Sequence, residues 1–382
     1  MAVLPVAVGT VIVAACSVYD ASLLLPAPAA IPDAAVTDTG APDVDAAPSC
    51  DHLGLPAKPT GEDGNEQLSM TLAFSEVSLG VGDAGPSIAP AQGLDLDLAC
   101  SCPGPPSCVA PKGVEPSCDG PRGQDNALRP VFERFTAFNQ DSLAGTFRAG
   151  RSSLLVFVSQ YNGGLNDRLV SVGLAVSGGI EGARFPDAGP KDPAFDGTDV
   201  WTVDPDSVVG GNDALLAGAS CQDKPCVPLV VDTAAYVSNG VLVARFGALP
   251  ATKRAFAGQL VFDLEHAFLR AKISKVGEVY QLSEGELTGR WPAERLLHNL
   301  TGLDSPFGGA ICKGSALYQQ VKAALCAAVD VAPNPAADNQ GNPCTAISTV
   351  IAFNATQARA GRVSRSVQDP KCPDEVDTCA TP

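Results

Sequence analysis

Histidine is nearly missing from this chain of 382 residues: there are three, His52, His266 and His298. That leaves little for proton transfer through imidazole or for a histidine-rich zinc site. No Cys-x2-Cys pair occurs, and His-Glu-x-x-His is absent. There is no Gly-x-Ser-x-Gly elbow, Walker loop or dinucleotide fingerprint either, so the common nucleophilic and nucleotide chemistries lose their usual sequence support. Cations are scarce too: 25 Lys and Arg face 42 Asp and Glu, a net charge of −17. Phosphate backbones and anionic lipid are bound by clustered Lys and Arg, so DNA, RNA and a polybasic membrane dock are excluded. Aromatic residues make up only 5%, so the core must be built mostly from Val, Leu, Ala and Phe. Beyond residue 15 no apolar run is long enough to cross a bilayer as a helix.

What is plentiful points outside the cytoplasm. The chain holds 13 cysteines, 38 glycines and 32 prolines. Gly and Pro at that density argue against long helices. The one long uncharged apolar run, Met1 to Ala15, ends in Val13-Ala14-Ala15-Cys16. It is too short to span a membrane and matches the apolar part of a signal peptide. Small residues before a cysteine are the order of a bacterial lipobox, in which that cysteine is freed and acylated. Setting Cys16 aside leaves twelve cysteines, enough for six disulfides and suited to an oxidising compartment. Met1 to Ala15 contains neither Lys nor Arg, a departure from the signal-peptide pattern. The expected reason is a start codon further upstream. Residues 16–63 read as a tether of Ala, Pro and Asp, with eight acidic residues after Cys16 against Lys58 alone. Such a segment buries too little surface to fold.

From residue 64 to 361 the pattern is one of short strands. Leu68, Met70, Leu72 and Phe74 alternate with polar or small partners; so do Val170, Val172, Leu174 and Val176, and later Ile347, Thr349, Ile351 and Phe353 as a closing strand. Ser152 to Tyr161 is an apolar run ending at the turn signal Asn162-Gly163-Gly164, and Ser238-Asn239-Gly240 is a hairpin signal. Leu260, Phe262 and Leu264 read as one strand, with Ala271 and Ile273 in its partner. Val279 to Leu282 and Leu287 to Gly289 read as two pieces around Gly285. Helical spacing is confined to Leu128–Phe138, Pro292–Leu300 and Gly314–Val329. A loop-rich insert, 95–127, carries four cysteines. The expected architecture is mainly β: an antiparallel sandwich of jelly-roll type with a few short helices and a disulfide-pinned insert. A polar tail, 362–382, follows. Local bridges are expected for Cys221–Cys226, Cys326–Cys344 and Cys372–Cys379.

Two groups of residues suit ligand binding. Asp95, Asp97, Asp119, Asp125 and Asn126 flank the cysteine cluster. Carboxylates on a bent, glycine-rich loop are what calcium requires, although the strict EF-hand spacing is absent. The same residues suit turn capping through their own backbone, which the pattern favours. Asp199 and Trp201, in Asp196-Gly-Thr-Asp-Val-Trp, could bind a sugar if the indole were exposed; a Trp in a short strand is more often core. Carboxylate pairs for glycoside hydrolysis can be drawn in many ways among 42 acidic residues, and sequence does not fix the distance such a pair needs.

The lipobox, the tether and the phrases GLDLDLACSCPGPPSC, CDGPRGQDNA, YNGGLNDRLV and FDGTDVWTVD together resemble predicted lipoproteins of myxobacteria and related soil bacteria. The resemblance covers most of the chain. It implies an exported lipoprotein of the cell envelope, on the outer membrane or facing periplasm or cell surface, and carries no catalytic residue. The expectation is a non-enzymatic binding or structural module, with no cofactor unless calcium. Its partners are the membrane through its lipid and a glycan or another surface protein, not nucleic acid. The alternative is a secreted carbohydrate-active hydrolase.

Overall fold

The computed structural model describes residues 50–79, 93–102, 104–135, 140–182, 192–211, 219–249, 262–301, 311–364, 372 and 376–379. The signal segment 1–15, Cys16 and the tether up to residue 49 lie outside the described residues, as do Phe138 and Leu260. Among the described residues nine strands form: β1 (Leu68–Ser78), β2 (Ser153–Tyr161), β3 (Asp167–Ser177), β4 (Val200–Val203), β5 (Val230–Ser238), β6 (Val241–Ala248), β7 (Glu265–Val276), β8 (Val279–Pro292) and β9 (Ala346–Val363). Eight of them, all but β4, pair antiparallel with their neighbours in chain order, and β9 returns to pair with β1. The sheet is therefore a closed up-and-down barrel. The expected sandwich is corrected on this point. Both folds need the same alternation and the same turns; they differ in what covers the outer strand, and here β9 covers it, across some 280 residues of sequence.

Local chemistry explains much of the ladder. Asn239 and Gly240 sit at φ +50° and +76° between the paired Ser238 and Val241, the two-residue turn that matches strand twist. Segments read as separate strands are continuous. β8 runs through Gly285, where its register with β9 slips between Leu282 and Gly285. A Cβ on Gly285 would lie 2.6 Å from the Phe353 ring, so only glycine lets the two strands meet. Leu264 and Ile273, expected in partner strands, lie just before and within the same strand, β7.

The barrel interior is apolar. Met70, Leu72, Phe74, Leu174, Leu269 and Phe353 are among the buried side chains of one continuous cluster, with Phe74 stacked on Phe353 at 4.0 Å. Among the described residues four helices complete the fold: α1 (Leu128–Arg134), α2 (Gln140–Arg148), α3 (Ala293–Leu300) and α4 (Ala316–Ala327). Their apolar residues, including Leu128, Phe132, Phe147, Leu297 and Val321, join the same cluster. Ser315 caps α4 by accepting from the Tyr318 amide, and Pro292 precedes α3. Outside the barrel β4 lies parallel to the end of β9, and Trp201 and Val203 cluster with Ala73, Leu155, Ala175, Ala358 and Ala360. The outer face of β7 and β8 carries the ion pairs Arg270–Glu286 and Lys272–Glu284. An apolar interior and a charged exterior are the inverse of an outer-membrane barrel. Among the described residues no helix is long and apolar enough to cross a membrane.

Six disulfides staple the fold: Cys50–Cys100, Cys102–Cys118, Cys108–Cys344, Cys221–Cys226, Cys312–Cys372 and Cys326–Cys379. Cys221 pairs with Cys226 within one loop. The other local expectations are corrected. Cys326 reaches Cys379 and not Cys344, and Cys372 reaches Cys312, because the tail folds back onto α4. There Asp377 accepts from Lys322 Nζ (2.9 Å) and Tyr318 Oη (3.0 Å). The tail belongs to the barrel domain. So do residues 50–63, expected in the tether: Leu53 donates to the Arg122 carbonyl, Tyr236 donates to that of Pro56, and Asp63 accepts from Asn166.

Candidate metal centre

The insert bends its backbone around its own acids. A Cβ on Gly123, at φ +71°, would collide with the Asp95 carboxylate. Cys102–Cys118 closes the loop internally, while Cys50–Cys100 and Cys108–Cys344 tie it to the irregular segment preceding β1 and to the residues just before β9. Within this frame Asp95, Asp97 and Asp125, all buried, bring carboxylate oxygens within 4.8 Å of one another. Asp119 and Asp330 are close enough for the Asp97 charge to act on both.

Each acid is aimed by a specific donor. The Leu96 amide donates to Asp125 Oδ2 (2.6 Å), the Ala99 amide to Asp97 Oδ1 (2.9 Å) and the Ser101 amide to Asp119 Oδ2 (2.6 Å). The Ser107 hydroxyl donates to Asp97 Oδ2, and His52 meets Asp95 Oδ2. Asp330 accepts from both the amide and the hydroxyl of Ser348 on β9, while the Ala127 amide donates to that hydroxyl oxygen. The insert and β9 thus share one polar network.

Positive charge is in short supply here. Arg290 on β8 reaches the Leu96 carbonyl between Asp95 and Asp97, but its two terminal nitrogens are engaged by Asp338 at 2.8 and 2.6 Å. Burial, reinforced by Asp97, raises the carboxyl of Asp95 above the usual carboxylate range, the His52 contact notwithstanding. Burial likewise raises the mutually dependent Asp119 and Asp125, Asp125 strongly, and pushes Asp330 up to about 7. Asp95 Oδ1 and Asp125 Oδ1 are sealed from solvent and accept no hydrogen bond. Carboxylates so placed either hold a proton or hold a cation.

Sequence reasoning placed Asp95, Asp97, Asp119 and Asp125 in one loop, and the structure gathers them. Asn126 opens α1 instead, where its carbonyl accepts from the Arg129 amide (3.3 Å). His52 and Asp330 escaped notice. They arrive from 43 residues before Asp95 and from 18 residues before Ser348, and only the pairing of Cys50 with Cys100 and of β9 with the barrel brings them in. Cys50, His52, Asp95 and Cys100 also converge, but both sulfurs are spent in their disulfide.

The second candidate is corrected. Trp201 is 0% exposed, so its face cannot stack on a sugar. Asp199 is turned inward, accepting from the amides of Ala194 (3.1 Å) and Phe195 (2.7 Å). It shapes the loop before β4.

No family model, curated protein or solved structure matches this chain.

Proposed function

We propose that this chain is an exported lipoprotein of the myxobacterial type. In this reading its barrel works at the cell envelope as a non-enzymatic binding or structural module, held to the membrane by acylated Cys16. The observation that carries it is the cysteine arithmetic: of 13 cysteines, the six disulfides use every one but Cys16. Six bridges fit an oxidising compartment, and the leftover residue is the one a lipobox needs. An interior filled by its own side chains supports a scaffold whose contacts are made on the outside, with a glycan or another surface protein as partner.

The test is the intact mass of the protein made in its own cells, after denaturation with a thiol-alkylating reagent. The expected mass begins at Cys16, includes acyl chains and shows no alkylated thiol. An unprocessed chain with free thiols sinks the envelope reading. A hydrolase is tested separately on chromogenic glycosides and cell-wall polymers. Product release abolished by a single Asp or Glu substitution would replace the module by an enzyme.

A further inference from the structure

Three carboxylates in contact range are costly to bury as anions, and no cation among the described residues is committed to them. His52 touches only Asp95, and the charge of Arg290 is matched by Asp338. Hydrogen bonds orient the acids but leave two oxygens bare. Asp125 is 1% exposed and Asp95 8%, and in each the Oδ1 atom is sealed and unpartnered. An oxygen that is both dehydrated and unbonded is placed to coordinate a cation, unlike the oxygens of a turn cap, which the backbone uses.

We infer that Asp95, Asp97 and Asp125 bind one calcium ion, with Asp119 and Asp330 closing the site from the insert and from the approach to β9. The donor chemistry selects the ion. The nearby sulfurs are oxidised, which leaves carboxylate oxygens, the ligands of hard cations. Three carboxylates offer up to six oxygens, within the six to eight that calcium takes. Zinc prefers nitrogen and sulfur, and magnesium keeps several of its waters. The site joins two parts of the fold: its ligands lie on the insert, while Asp330, in the segment after α4, accepts from Ser348 on the strand that closes the barrel. Calcium therefore clamps the insert to the closing strand. The choice of calcium rests on the envelope reading, since the ion is abundant outside the cytoplasm; the carboxylate site itself does not.

The test uses the full-length protein stripped with EDTA and dialysed. Calorimetric titration with calcium chloride is expected to give one site per chain. Saturation should raise Tm by several degrees, on the order of 5 °C. Asp125→Asn and Asp97→Asn should each lose the binding heat and the calcium-dependent rise. Their metal-free Tm should equal or exceed that of the unaltered protein, because the amide keeps the shape and removes a buried charge. Should either variant fail to fold, calcium content of the native protein by elemental analysis, before and after EDTA, decides alone. No uptake of calcium at millimolar concentration by folded native protein would overturn the site, as would undiminished binding in folded Asp125→Asn. The mass measurement is independent of calcium, so either reading can fail without the other.

Discussion

Arg290 is the most constrained charge in the described structure. It is 1% exposed, grips Asp338 with both terminal nitrogens and donates to the carbonyls of Ala332 and Leu96. Arg290→Met would leave Asp338 buried and unpaired. It is expected to cost about 3–5 kcal/mol in urea unfolding, while Arg290→Met with Asp338→Leu should cost much less. Asp377 gives the pH prediction. Burial raises its carboxyl, but bonds from Lys322, Tyr318 and the Thr378 amide outweigh that and hold it below the ordinary value of 3.8. A depressed folded-state value adds stability that is complete above the unfolded value and is lost as pH falls through the folded one. The Tm advantage over Asp377→Asn should therefore be constant above about pH 5 and shrink below pH 4. An advantage unchanged down to pH 2 would refute the pairing. Neither residue was legible beforehand, because an ion pair across 48 or 55 residues leaves no local pattern.

Elements were legible where their periodicity is simple. The alternation of Leu68 to Phe74 and the Asn239-Gly240 turn gave β1 and the β5–β6 hairpin, because pleat and turn chemistry are written within a few residues. Long irregular strands were not. Gly285 in β8 and the φ of +45° at His266 in β7 are bulges, which shift the alternation by one and make one strand read as two. α2 was missed because QDSLAGTFR offers few apolar positions and a central Gly145. Trp201 shows the same limit on the outer wall. β1 and β3 alternate by pattern and β2 reads as an apolar run; Ala73, Leu155 and Ala175 on their outer face are buried under β4. The bulge carries its own prediction. Gly285→Ala places a methyl 2.6 Å from the Phe353 ring and is expected to cost roughly 1–3 kcal/mol by thermal denaturation, with the secondary-structure spectrum unchanged.

At the scale of the molecule, barrel closure and most of the disulfide pairing are long-range and left no sequence signature; of the expected pairs only the local Cys221–Cys226 was legible. The Cys108–Cys344 bridge spans 236 residues and Cys221–Cys226 only 5. In a chain without other links, loop-closure entropy gives the first about 5 kcal/mol and the second about 2 kcal/mol. Replacing Cys108 and Cys344 by Ala should lower Tm clearly more than the same change at Cys221 and Cys226. A reversed order would mean that native-state packing, not the unfolded chain, sets their worth. The closing role of β9 also has a consequence for how the protein is made. β1 begins at residue 68, but the strand that covers its open edge begins at residue 346. Throughout synthesis the nascent chain therefore carries an unpaired strand, and nothing upstream can retire it. A ribosome that stops before residue 346 releases an open sheet with two free edges, ready to pair with its neighbours. On the proposed envelope reading, export in an unfolded state would avoid this hazard: both margins of the sheet would then arrive in the same compartment, where they can meet before meeting a stranger.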